Sequence, residues 1–429
     1  MWLAYRGYSI ILLAPVLALL AVGLEGGHSL LGAYTQVFMP ALGKFIATYF
    51  PVFILGSLFG TLMDGSGSAH VLARAIYKIC GRKRAIAAIV LACGVLTYAG
   101  VSAFVAVFSI FPLAARVFRE ANIPKRLIPG AISSGALSFT MTALPGTAQI
   151  HNLIPIPYFG TDAYAAPVLG LITGALLFGL AQLWLDREAR IAAENGEGYG
   201  DETLDLNTEA GGKEVSGSLA RSVLPIAVVI AGNYVLTLAK VDGMDSMILS
   251  LLAACVATLL LNLRRLKGQL QERFQQGVLD SVLPIFATAS EVGYGAAIAG
   301  LVAFGTIKEW IFSLAPSQPL VAEAVSVNIL AGITGSASGG LGIALETLGK
   351  SYLEAGTAAG ISPEVLHRIG VLAAGGLDSL PHNGAVITLL AVCGCTHRSS
   401  YKDIFVVSVV VPLIVTVLAV AMASWWGAF

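Results

Sequence analysis

Two titratable side chains, Asp378 and His382, stand four residues apart on either side of Leu380-Pro381 in the segment GGLDSLPHNGAV. Proline lacks a backbone donor and interrupts a helix, so both side chains can face one cavity at the break. Imidazole titrates near neutral pH, and the pair therefore suits carriage of a proton or steering of a charged solute. A satisfied structural Asp-His pair is the plain alternative. Two further acids, Asp64 (LMDGSGSA) and Glu291 (SEVGYGAA), lie near the ends of apolar segments in what look like corresponding places. Either could hold a coupling ion, and either could cap the element that follows.

Hydroxyls and amides gather around the same kind of break. Thr97, Tyr98 and Ser102 form one cluster; Thr140, Thr142, Thr147, Gln149, His151 and Asn152, with Gly146 among them, form a second. Thr334, Ser336 and Ser338 form a third, and Asp378, Ser379, His382 and Asn383 a fourth. Buried polar groups are costly in lipid unless they face a cavity or a partner, so such clusters mark functional sites. Half-helices ending there expose free N–H groups that favour an anion, and a carboxylate is the natural ligand. The substrate-binding set expected on this basis is Tyr98, Ser102, Thr142, Gly146, Thr147, Gln149, Thr334, Ser336, Ser338, His382 and Asn383. Ser and Thr in helices also bond back to their own carbonyls, so each hydroxyl has a structural role as its alternative. No nucleophile stands at a recognisable spacing from Asp378 and His382, and no metal-ligand set is complete, which argues against an enzyme.

The elements that position these residues are written twice. Gly94 to Pro145 carries GVLTYAGVS, an apolar helix and a loop ending ALPGT; Gly332 to Pro381 carries GITGSASGG, a helix and a loop ending SLPHN. Pro145 follows Thr97 by 48 residues, and Pro381 follows Thr334 by 47. Paired interruptions in corresponding halves of a hydrophobic chain point to a transporter's binding site.

Composition sets the solvent. Of 429 residues, 56% are hydrophobic and 12% charged, with a mean hydropathy of +0.82, which is the profile of a polytopic membrane protein. Twenty-five basic and 25 acidic residues give no net charge, so nucleic acid is not an expected partner. The 48 glycines and 17 prolines suit close helix packing and broken helices. The odd number of cysteines (Cys80, Cys93, Cys255, Cys393, Cys395) argues against a disulfide framework, and Cys393-Gly394-Cys395 lacks a second ligand pair. The apolar run from Tyr8 leaves through GLEGGHS without a small-x-small cleavage site and is expected to remain as a first span.

Hydropathy predicts nine spans: 8–24, 43–63, 124–155 (broken), 165–184, 222–240, 247–263, 277–298, 362–395 (broken) and 403–427. Residues 85–118 and 320–355 each suit two short helices around a Gly/Ser tip, as in a re-entrant hairpin. Arg82, Lys83 and Arg84 precede the first hairpin, and Arg116, Arg119, Lys125 and Arg126 follow it, placing both its ends in the cytoplasm. Lys308, Lys350 and Arg368 flank the second more sparsely, as entry from the opposite side requires. Arg264, Arg265, Lys267, Arg273, Arg398 and Lys402 mark further cytoplasmic loops. Residues 1–184 and 247–429 thus form an inverted repeat, with 222–240 as the odd crossing and 185–221 as a flexible, polar cytoplasmic linker without chemistry of its own. Residues 66–80 and 299–315 read as matching amphipathic arms along the membrane surface, with a tenth span as the competing reading.

With those residues in view, the chain resembles the gluconate permease (GntP) family of proton-coupled organic-acid carriers, in the ion-transporter superfamily, over almost its full length. The resemblance is most specific in GSLFGTLMDGSGSAHVLARAI with KICGRKRA, in ANIPKRLIPGAISSGALSFTMTALPGTAQI and in ILAGITGSASGGLGIA. The ALPGTAQI and GGLDSLPHNGAV segments look closer to short-chain hydroxy-acid members, such as D-3-hydroxybutyrate permeases, than to sugar-acid carriers. The resemblance implies an all-α elevator-type carrier in a bacterial inner membrane, with a hairpin-bearing transport domain that slides against a scaffold domain, commonly dimeric. Gluconate-type members resemble a Tyr-Glu-Val-Gly pattern at the first tip, whereas this chain has Tyr98-Ala99-Gly100-Val101. Ala99 in place of a carboxylate fits a smaller, less hydroxylated substrate and moves coupling to Asp378 and His382, or to sodium held at the tips. The expected function is import of a small monocarboxylate, 3-hydroxybutyrate or a relative, together with protons and without any cofactor. A sodium-coupled carrier and a sugar-acid permease are the alternatives of the same class; a channel lined by re-entrant loops is the alternative of a different class.

Overall fold

The computed structural model describes residues 9–26, 29–200, 217–306, 309 and 318–426, and every regular element among them is helical. Helix α1 (Ile10–Glu25) leads to α2 (Leu30–Gly65) and the short α3 (Ser68–Cys80). A pair, α4 (Ala85–Tyr98) and α5 (Ala103–Ala121), comes next, then α6 (Ile128–Ala136) and the long α7 (Pro167–Glu194). Three long helices follow: α8 (Leu219–Leu238), α9 (Gly243–Leu266) and α10 (Leu270–Ala299). The order of pair and broken span then recurs as α11 (Pro319–Thr334), α12 (Ala337–Ala358), α13 (Pro363–Ala374), α14 (Gly384–Val392) and α15 (His397–Trp425).

Helices α2, α7, α8, α9, α10 and α15 are long and apolar enough to cross a bilayer, matching the six unbroken expected spans beyond the first. The first, α1, is shorter at 16 residues and docks its Ala14 and Ala18 near Phe38 and Ala297. The segments 124–155 and 362–395 are interrupted. Regular helix ends at Ala136, resumes for one turn at Phe139–Thr142, and gives way to irregular backbone through Gly146, whose φ of 76° sits in the left-handed region. In the second segment, residues 375–383 separate α13 from α14. Outward leucines such as Leu183, Leu260 and Leu283 cover the long helices with the apolar surface that lipid requires.

Three expected boundaries shift. Helix α7 runs ten residues beyond 184, because its extension is anchored: buried Glu188 accepts from Arg187 (2.9 Å) and from Lys402 (3.0 Å). The chain then folds back along the α5–α6 corner. Arg126 pairs with Glu197 (2.7 Å), Asn122 accepts from the Tyr199 amide (3.3 Å), and Arg119 lies 5.1 Å over the Tyr199 ring. The start of the expected flexible linker is therefore docked structure, its end from Leu219 is helix α8, and residues 201–216 lie outside the described residues. Helix α3, at 13 residues or ~20 Å of rise, is too short for a tenth span across a core of about 30 Å. Of the matching arm at 299–315, residues 307, 308 and 310–315 lie outside the described residues, Lys308 among them.

Helix contacts sort into two groups. Helices α1, α2, α8, α9 and α10 pack on one another; α4 to α7 and α11 to α15 pack on one another. Helices α2 and α10 run antiparallel: Asp64 near the end of α2 meets Arg273 near the start of α10 (3.3 Å), while Phe38 near the start of α2 lies against Gly293. In the first pair, Tyr77 just before α4 bonds Glu120 at the end of α5 (3.2 Å), so entry and exit of the pair lie together. The two groups meet where α10 packs along α12, and α3 bridges them, packed on α2 and α8 on one side and on α4 and α5 on the other.

Candidate functional site

At the first tip, Gly100 takes a φ of 97° and turns the chain between α4 and α5. The turn is tied to the first break. The Thr97 and Thr140 hydroxyls share a hydrogen bond (2.9 Å), the Tyr98 hydroxyl donates to the Pro145 carbonyl (2.7 Å), and the Ala148 amide donates to the Tyr98 carbonyl (3.0 Å). Gln149 Nε2 donates to the Thr97 carbonyl (2.5 Å), and Thr147 Oγ1 to the Tyr98 carbonyl (3.3 Å). Thr142 bonds back to Ser138 (3.2 Å), and the Gly146 amide donates to Ala163 (2.7 Å). Ser102 stands at the start of α5 without a side-chain cap bond, so this half-helix N-terminus remains open.

The second tip closes on the second break. Asp378 Oδ1 accepts from the Ala337 amide (2.7 Å) and from Asn383 Nδ2 (2.9 Å), and Asn383 Nδ2 also reaches the Gly335 carbonyl (2.9 Å). The Asn383 Oδ1 caps α14 through the amides of Ala385 (2.6 Å) and Val386 (3.1 Å). Ser336 caps α12 through the Gly339 amide (3.0 Å), and Thr334 bonds back to Leu330 (2.9 Å). Two of the half-helix N-termini expected to hold a substrate anion are thus occupied by the protein's own side chains. His382 lies against Gly335, so it belongs to the same tip, while the hydrogen bonds of Asp378 go to Ala337 and Asn383.

The other two acids part company. Asp64 is half-exposed, accepts from Ser109 (2.7 Å) and pairs with Arg273, which makes it a clasp between α2, α5 and α10. Glu291 is not at a helix end: it sits eight residues inside α10, 3% exposed, because the N-terminus of α12 crosses there. Gly339 makes room for it, since a Cβ at that position would overlap the Glu291 carboxylate. Thr288, one turn earlier, shares a hydrogen bond with Ser338 (3.1 Å). The second tip therefore meets a polar stripe of α10 at the seam between the two helix groups.

One charged side chain lies elsewhere than its place in the sequence suggests. Arg368 looked like a loop charge flanking the second hairpin, but it is wholly buried on α13. Its guanidinium donates to the Ala165 carbonyl (2.8 and 3.2 Å) and to Asn152 Oδ1 (3.0 Å), and Asn152 in turn donates to Thr147 (3.2 Å). Its hydrogen-bond partners are neutral, and no carboxylate among the described residues lies within ion-pair distance. The signal was present as a single cation in the apolar run VLHRIGVLAA, which intramembrane cost makes a site marker. Glu323, in the run PLVAEAVSVN, carried the same signal.

These interrupted helices, seated tips and buried cation belong to a chain with transporter relatives. The chain is 42% identical to the "uncharacterized transporter YxjC" of Bacillus subtilis (strain 168), over 96% of this chain and 93% of that one. Its fold is similar to the YdaH transporter of Alcanivorax borkumensis (TM-score 0.56, 17% identity, 97% of each chain). It is also similar to MtrF of Neisseria gonorrhoeae, a protein described within a class of antimetabolite efflux pumps (TM-score 0.60, 13% identity, 97% of this chain and 94% of that one). The "GntP family permease" profile matches residues 9–264, which include the first tip and the first break. The protein is accordingly a multi-pass membrane transporter and not an enzyme, and it belongs to the GntP permease family.

Proposed function

We propose that the chain is a secondary active symporter that imports a small monocarboxylate, 3-hydroxybutyrate or a close relative, with protons across a bacterial inner membrane. The observation that supports an anionic substrate most directly is Arg368: a wholly buried guanidinium with only neutral hydrogen-bond partners. A buried charge is costly until paired, and a carboxylate arriving at the first break supplies the missing partner. The N-terminus of α5 at the first tip, where Ser102 makes no side-chain cap bond, adds a second place for an anion. Tyr98, Gly146, Thr147 and Gln149 line the first half of the site, where Thr142 packs with its hydroxyl turned back to Ser138, and Thr334, Ser336, Ser338, His382 and Asn383 line the second. The shortage of free hydroxyls at the first tip, where most are bonded internally, fits a short hydroxy acid better than a polyol.

In this reading the two helical pairs are re-entrant hairpins of an inverted repeat. The group of α4 to α7 with α11 to α15 is the transport domain, and α1, α2 and α8 to α10 form a dimerising scaffold. The joint entry and exit of the first pair and the antiparallel run of α2 and α10 support it. Asp378, His382 and Glu291 are the candidates for the coupling ion, with Asp64 the weakest because it is held in a clasp; sodium is the alternative ion. The test is uptake of labelled 3-hydroxybutyrate by Arg368→Gln and Arg368→Lys proteins in liposomes. Both lose roughly 100-fold or more, about 3 kcal/mol of binding to a charged partner. Uptake within twofold of the parent in either variant removes Arg368 from the site.

A further inference from the structure

Glu323 is buried on α11, 0% exposed, and neither carboxyl oxygen has a hydrogen-bond partner. An ionised carboxylate in that setting costs several kcal/mol unless it gains a partner. Among the described residues, none forms an ion pair with it. From α13 it faces Gly370, where a Cβ would stand 2.8 Å from Oε1. The titratable and charged side chains of α13, Glu364, His367 and Arg368, are directed elsewhere: to the Ala166 amide (3.2 Å), to Thr161 (2.6 Å) and to Asn152 and Ala165. From α12 the titratable group on this side is the Tyr352 phenol, which shares a hydrogen bond with Ser326 (2.5 Å), one turn along α11 from Glu323. Helix α15, the remaining element packed along α11, carries no charged residue between Val411 and Trp426.

We propose that Glu323 is the residue that carries the coupling proton, a site distinct from Asp378, His382 and the tips, on the reading that the chain is a proton-coupled carboxylate symporter. The position of Gly370 supplies the linkage. Gly370 lies two residues from Arg368 on α13, and α13 runs directly into the break that holds Asp378. When Glu323 is neutral, α11 closes on Gly370, and α13 presents Arg368 toward the first break. When the O–H bond of Glu323 breaks and its proton leaves to the inner aqueous phase, the carboxylate demands water, and the α11–α13 contact must open. Only the O–H bond is broken in this step, and it forms again with a proton taken from the outer phase. Glu291 differs, because the second tip crosses over it and it changes surroundings whenever the tip moves.

The experiment compares the parent protein with Glu323→Gln in proteoliposomes, reading two activities with labelled 3-hydroxybutyrate. Glu323→Gln, a permanent neutral mimic, keeps substrate exchange at equal pH within about threefold but loses proton-driven accumulation at least about tenfold, and its uptake rate no longer varies with pH. Accumulation and pH profile equal to the parent's overturn the assignment and leave symport intact. A parent that exchanges substrate but gains nothing from a proton gradient overturns the symport reading instead, and the inference with it. Should Glu323→Gln lose exchange as well, Glu323→Asp decides: recovery of gradient-driven uptake with a displaced pH profile supports the proton role. Failure of the Asp variant to recover it assigns Glu323 to packing alone.

Discussion

Asn383 does three things with one amide: it caps α14, holds Asp378 and fastens the Gly335 carbonyl of the second tip. Truncation to Ala removes the cap, worth about 1 kcal/mol, and leaves the Asp378 oxygen and the Gly335 carbonyl short of a donor at a further ~1–3 kcal/mol. Asn383→Ala is therefore expected to cut uptake at least about tenfold and to lower the midpoint of thermal unfolding in detergent; parent-like values in both assays would falsify the tie between break and tip. Thr142 offers the contrast, because its hydroxyl bonds only to its own helix turn at Ser138. Thr142→Val, which keeps the shape, should leave uptake within about threefold. At this scale the sequence picks out side chains that the structure brings together at each tip and break, but not the partner that each one takes. Spacing and polarity locate Thr97, Gln149, Asp378 and Asn383, whereas the partner of each depends on which backbone carbonyl the turn happens to present. Arg368 and Glu323 were misread or passed over because one charge in an apolar run carries no direction until the packing is known.

Small residues let the helical elements meet. Gly340 lies so close to α11 that a Cβ would overlap the Ala331 amide, and Gly339 admits Glu291 against the start of α12. Gly340→Ala is expected to weaken the α11–α12 pair and reduce the yield of folded protein. Gly43→Ala, with nothing within 4 Å of its Cβ, should match the parent or gain slightly in helix stability. Gly339→Ala is the informative intermediate: a folded protein with impaired uptake points to the seam between the groups, and its readout is transport rate against yield. A normal rate in Gly339→Ala would show that the Glu291 crossing plays no part in the cycle. Elements were legible wherever hydropathy exceeds one span's length, as in α2, α9, α10 and α15, and wherever a Gly/Ser tip divides a run, as at Gly100 and Gly335. The far end of α7 was not, because its polar helix is held by Lys402 and Arg126 from distant segments, which no local pattern displays.

Across the molecule, α2 and α10 lie antiparallel at the centre of one helix group, and each leads toward a helical pair whose tip is seated on a broken span in the other group. That duplication was legible from the 48- and 47-residue spacings, while the division into two packed groups emerged only from the contacts. A buried cation at the first break and a buried acid beside the same helix, α13, are what the proposed cycle uses, to hold an anion and a proton on one moving element. The direct measurement is uptake of labelled 3-hydroxybutyrate into proteoliposomes under an inward proton gradient and, separately, an inward sodium gradient. Saturable accumulation driven by protons alone is the predicted result. Sodium-driven accumulation would contradict the proton assignment, and no accumulation under either gradient would contradict the carboxylate symporter itself.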